Sequence, residues 1–138
     1  MTNQPAPEGD TDRVNLTVPN DGDYVALARF AAGVVAVRAG FDLEEVQDLQ
    51  LAIDEMYASS GVPQQGGSAQ LEISRSDSEV AMSLSYSLPL QRTSSDAENN
   101  HASTELSQQL LSALVDDHGS SLDDRGTPSI WIKKSHAS

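Results

Sequence analysis

The chain contains no cysteine, which excludes disulfides, thiolate zinc centres and cysteine nucleophiles together. Aromatic residues make up only 4 % of its 138 residues against 38 % hydrophobic overall, so its core must be aliphatic and alanine-rich. Basic residues are scarce: 8 Lys and Arg stand against 21 Asp and Glu, for a formal net charge of -13. Such a surface is repelled by phosphate backbones and anionic lipid and favours basic partners, so no direct nucleic-acid contact is expected. Long hydrophobic runs are missing too. The longest, Phe30 to Val37, is far too short to cross a bilayer. The opening MTNQPAPEGDTD has neither a basic n-region nor an apolar h-region. The expectation is a soluble, cytoplasmic chain that does not engage a membrane.

What is present suits one domain with a sizeable core. Residues 1–12 are polar and rich in Pro, Asp and Glu, and read as a disordered tail; 13–134 form the domain and 135–138 a second tail. From Arg13, VNLTVP alternates with Val14, Leu16 and Val18 on one side, as a strand does. Pro19 to Asp23 is turn chemistry in which Asp21 or Asp23 can cap a helix. Tyr24 to Ala39 is that helix, apolar over most of its circumference, and Gly40 stops it. Asp42 and Glu45 make a capping-box-like pair at the start of a second helix, which carries Leu43, Val46, Leu49, Ile53 and Met56 at helical spacing.

Pro63 to Gly67 reads as a loop. Leu71–Ile73 and Val80–Leu84 read as two strands of a hairpin around Ser76-Asp77-Ser78, and 89–103 as a long polar loop. Leu106, Leu110, Leu111 and Leu114 mark a last helix, and Ser129 to Lys133 a closing strand. The order is strand, two helices, two strands, helix, strand. It implies an α+β two-layer sandwich, with a mixed, mostly antiparallel sheet carrying its helices on one face.

This order, and above all RAGFDLEEVQDLQLAIDE from Arg38 to Glu55, resembles the anti-sigma-factor serine kinases of the histidine-kinase and gyrase ATPase superfamily. The resemblance covers roughly residues 14–132 and is concentrated in 24–56. It implies a Bergerat-type ATPase fold. It also places Glu55 where that family keeps the glutamate that activates a hydroxyl or water, a general base. Four residues on, where the family holds magnesium with an asparagine, this chain has Ser59; beyond it, Gly61 and Pro63 break the helix.

The family's Asp-x-Gly-x-Gly falls on Ser85-Tyr86-Ser87-Leu88-Pro89, and its phosphate-facing Gly-x-Gly-Leu on Thr104-Glu105-Leu106-Ser107. A carboxylate there opposes phosphate by like charge. The resemblance therefore implies a degenerate member in which ATP and magnesium binding are lost or weak. Glu55 is then a relic base, with no cofactor and no metal site expected. The paired Gly66-Gly67 lacks the Lys-Ser/Thr of a phosphate loop.

Arg29 interrupts an apolar helix, either as a snorkelling surface residue or as an interface anchor. The resemblance places it where the family's first helix engages the sigma factor or its antagonist, and Arg38 is a second candidate. Phe30 and Val34 belong to an apolar circumference wider than one sheet can bury, which points to a second burial surface, in a homodimer or against a partner. His101, His118 and His136 lack partners at metal-ligand spacing. The expected function is that of an anti-sigma factor holding a basic alternative sigma factor and released by an anti-anti-sigma antagonist. The alternatives are an active serine kinase and a pseudokinase that pairs with an active paralogue.

Overall fold

In a computed structural model of the protein, residues 10–60, 67–86, 105–122 and 124–137 are described. The expected loop at 89–103, most of the Pro63–Gly67 loop, His101 and Thr104 lie outside them.

Strand β1 (Asp10–Pro19) leads through a 3-10 turn (Gly22–Tyr24) into α1 (Val25–Arg38) and α2 (Leu43–Ser60). The hairpin β2 (Ser68–Ser76) and β3 (Glu79–Ser85) follows, then α3 over residues 105–114, β4 (Asp117–Leu122) and β5 (Pro128–Ser135). The sheet order is β1-β2-β3-β5-β4, and all neighbouring pairs are antiparallel. Strict alternation builds its two faces. Ala69, Leu71 and Ile73 of β2, Val80, Met82 and Leu84 of β3, and Ile132 of β5 are buried under the helices. Glu72, Ser74, Ser83 and Lys133 sit on the opposite, open face. The protein is an α+β two-layer sandwich.

Local chemistry accounts for the helix ends. Asp21 accepts from the Asp23 amide at 3.0 Å and so caps the 3-10 turn; the N-cap of α1 itself is Tyr24, which makes no side-chain cap bond. Gly40, at φ +89, ends α1 in a Schellman arrangement: its amide donates to Val37 and that of Phe41 to Ala36, which only a left-handed residue allows cheaply. Asp42 and Glu45 close the capping box reciprocally, at 2.9 and 2.8 Å.

Two features differ from expectation. Strand β4, DHGSSL, has no alternation to announce it; it is an edge strand made by pairing with β5. Both domain boundaries also move outward. The 1–12 tail overlaps β1, which begins at Asp10, and the 135–138 tail overlaps β5, while His136 and Ala137 bond to Glu45. Main-chain pairing carries no compositional signature, so polar ends read as tails although they extend the sheet.

Candidate functional site

Helix α1 buries its narrow side. Ala28, Ala32 and Ala36, four residues apart, face inward with Val35, so the helix lies close to its neighbours. Gly33 permits the approach of α2, since a Cβ there would lie 3.2 Å from Gln50 Nε2, which donates to the Arg29 carbonyl at 3.3 Å. The large side chains are left outside. Leu27, Phe30, Val34 and Val37 form an exposed stripe at helical spacing, with Phe30 69 % and Val37 65 % accessible. The structure thus brings the expected Phe30 and Val34 together and adds Leu27 and Val37.

The two expected arginines are not brought together. They are nine residues apart, two and a half turns, and sit on opposite flanks of α1. Arg29 donates from Nη1 to both carboxylate oxygens of Asp54 on α2, at 2.9 and 3.1 Å. Arg38 donates to Asp12 at 3.0 Å, and Arg75 donates to the same oxygen at 2.8 Å. The Arg75 bond, followed by that of Arg38, holds the Asp12 carboxyl below its ordinary range.

On α2 the acidic pair divides. Asp54 is engaged by Arg29, whereas Glu55 has no ion pair or hydrogen bond among the described residues. Glu55 lies in the wall of an open, mostly apolar groove between α2 and α3, beside Leu51, Ala58, Leu110 and Leu114. Ser59, one turn further on, faces elsewhere. It donates to the Met56 carbonyl at 3.2 Å and lines a separate cavity of about 410 Å³. Ser60, Tyr86, Ser107, His118 and Ser120 also line that cavity, and no carboxylate, lysine or arginine lines it among the described residues. The Ser107 hydroxyl is buried there without a hydrogen-bond partner among the described residues, and His118 Nε2 lies 3.0 Å from Ser112 Oγ. The cavity offers neutral donors and acceptors.

At the other end of α2, Glu45 is a junction the sequence did not announce. Its carboxylate accepts from the amides of Ala137 (2.7 Å) and Asp42 (2.9 Å) and from His136 Nδ1 (2.7 Å), and the three bonds, in the order Ala137, Asp42, His136, pull its pKa down to about 2. The His136 ring also stacks on Phe41, with centroids 6.5 Å apart. Sequence reasoning saw the Asp42–Glu45 half, which is local, and missed the strap from the end of β5. It likewise missed Asp54 as the partner of Arg29, since no spacing rule connects residues 25 positions apart. The groove leucines had a signal, the leucine spacing in α3, which marks a helix but not the groove it lines.

No family model matches the chain. It is similar to part of serine-protein kinase RsbW from Listeria monocytogenes and from Listeria innocua, at 37 % identity over 49 residues in each case. The matched stretch is 36 % of this chain and 31 % of each relative, so the chain spans about a third of the length of the curated relatives it matches.

Proposed function

We propose that this chain is a cytoplasmic regulator of the anti-sigma type. It captures a basic alternative sigma factor on α1, is released when an anti-anti-sigma antagonist competes for that surface, and carries a degenerate ATP site on a Bergerat-type fold. The observation that carries the reading is the α1 stripe of Leu27, Phe30, Val34 and Val37, apolar and exposed on a chain of net charge -13. A stripe of that kind on a monomer marks an interaction surface. Acidic surroundings accelerate encounter with a basic partner, and apolar anchors with Arg29 and Arg38 set the lifetime of the complex. Inhibition is by occlusion, and a homodimer would use the same helix. The partial likeness to the RsbW serine-protein kinases supports this class of regulator.

Support for a degenerate site comes from the donor set. A magnesium nucleotide needs a metal ligand and cationic or amide contacts to its phosphates. Glu55 and Ser59 line different cavities, and the one holding Ser59 offers neutral hydroxyls, a tyrosine, a glutamine and a histidine. These residues do not fit that ligand.

Co-purification of the full chain, wild type and Phe30→Asp, with the alternative sigma factors of its host tests the reading. Capture by the wild type and loss in the variant are expected, with repression of sigma-dependent transcription following capture. Absence of binding to every sigma factor, with transcription unaffected, overturns it.

A second reading, an active serine kinase, is favoured by the carboxylate of Glu55, unpaired among the described residues, and by the activity named for the relatives. Calorimetry with Mg-ATP separates the two, since a degenerate site gives no saturable heat.

A further inference from the structure

The outer seam between α2 and α3 is open where two packed helices normally close on each other. Helix α3 buries Ser107 and Leu111, with Val115 just beyond its end, which draws its inner side to the core. Its outer residues Leu110, Ala113 and Leu114 then face Leu51, Glu55 and Ala58 of α2 across a groove of about 400 Å³. Each wall repeats at helical spacing, 51, 55 and 58 against 110 and 114, so the groove runs as a furrow along the helices. Two of its three leucines remain wet: Leu51 is 54 % and Leu110 42 % accessible. Exposed leucines facing one another across a furrow gain by burial under a third apolar surface.

Charge decides what that surface is. Among the described residues the groove walls hold two carboxylates, Asp54 and Glu55, and no lysine or arginine. Asp54 is neutralised by Arg29, and the nearby Lys134 is committed to the Leu114 carbonyl at 2.8 Å. Glu55 is left half-buried beside apolar side chains with no cation or donor among the described residues. A carboxylate so placed strengthens any cation brought to it, because an occupant that covers the leucines also removes the screening water. A second copy docked groove to groove would set Glu55 against its own counterpart, and an anionic membrane is likewise disfavoured by like charge.

We propose that the α2–α3 groove docks a basic amphipathic helix of a protein partner, with apolar side chains between Leu51 and Leu110 and a lysine or arginine on Glu55. The groove uses α2 and α3 and the stripe of the proposed function lies on α1, so the two readings fail separately.

The test is selection of helix-forming peptides displayed on phage against the full folded chain, followed by fluorescence anisotropy of the selected peptides. Peptides with apolar residues at three- and four-residue spacing and a flanking lysine or arginine are expected. Leu110→Ser and Glu55→Lys each weaken them by about tenfold or more, while Phe30→Asp leaves them unchanged. Replacing the peptide's lysine by glutamate restores binding to Glu55→Lys and lowers it for the wild type. Unchanged circular dichroism and melting of these surface variants separate lost docking from lost folding. The proposal is overturned if no such peptides emerge, if their binding ignores both groove variants, or if Leu110→Ser instead dissolves a dimer of the wild type in sedimentation.

Discussion

His136 reaches back from the end of β5 to Glu45 at the start of α2, its Nδ1 donating at 2.7 Å to a carboxylate that already completes a capping box. One side chain thereby ends a helix and fastens the strand end to it. Strap and cap share a charge, so they respond to acid together.

The Glu45 carboxyl is held at about 2, against an ordinary value near 4.5. A depressed acid contributes stability in full above its unfolded value, and that contribution is lost as the pH falls through the folded one. The urea midpoint of the wild type is therefore expected to drop between about pH 4.5 and 2, while Glu45→Gln, less stable at neutral pH, declines less over that window. Equal slopes for the two proteins across it would rule out the strap as an acid-sensitive element.

Gly119 in β4 stands under the indole of Trp131 on β5, to which it is paired; a Cβ there would come within 2.7 Å of the ring. Gly119→Ala forces the ring or the edge strand aside and is expected to destabilise by about 1–3 kcal/mol. Trp131 is the single tryptophan, so its emission reports the displacement directly. Gly22→Ala, with nothing within 4 Å, is the matched control and leaves the melting curve in place.

The Arg29–Asp54 pair is about 40 % exposed on both sides, so water and salt screen it. A double-mutant cycle with Arg29→Ala and Asp54→Ala is expected to give a coupling of about 0.2–1 kcal/mol that shrinks with added salt. If Arg29 anchors a partner, Asp54→Ala frees its guanidinium and alters partner binding by more than it alters stability. Surface plasmon resonance against the captured partner reads that difference.

Phe30→Ala removes a side chain that is mostly in water and is expected to shift folding stability by no more than about 0.5 kcal/mol. Leu49→Ala, at a fully buried position on α2, is expected to cost about 2–5 kcal/mol. Chemical denaturation of both checks the contrast. Lost partner capture in Phe30→Ala with unchanged stability assigns that residue to recognition.

The second half of β1, the Gly40 stop, the Asp42–Glu45 box and the β2–β3 hairpin were legible because each is a short-range event: alternation, a left-handed residue or a side chain reaching three positions along. Strand β4 was not legible, since DHGSSL has a single large apolar residue and no alternation, and becomes a strand only when β5 offers its edge. The same limit hid the roles of the candidate residues. Arg29 read as a surface or interface residue, and its ion pair with Asp54 forms only where α2 packs beside α1.

Composition and periodicity were enough to set the layering of this protein, its acidity and the surplus of apolar surface on its first helix, because those properties are sums over neighbouring residues. Which side of α1 would be buried was decided by packing. The small alanines fit against α2 and the sheet where leucine and phenylalanine do not, and so the large residues face outward. Packing also separated Glu55 from Ser59, setting the carboxylate in the α2–α3 groove and the hydroxyl in a polar cavity. Spacing along a helix gives the direction of a side chain, and the elements docked against it determine what that side chain meets.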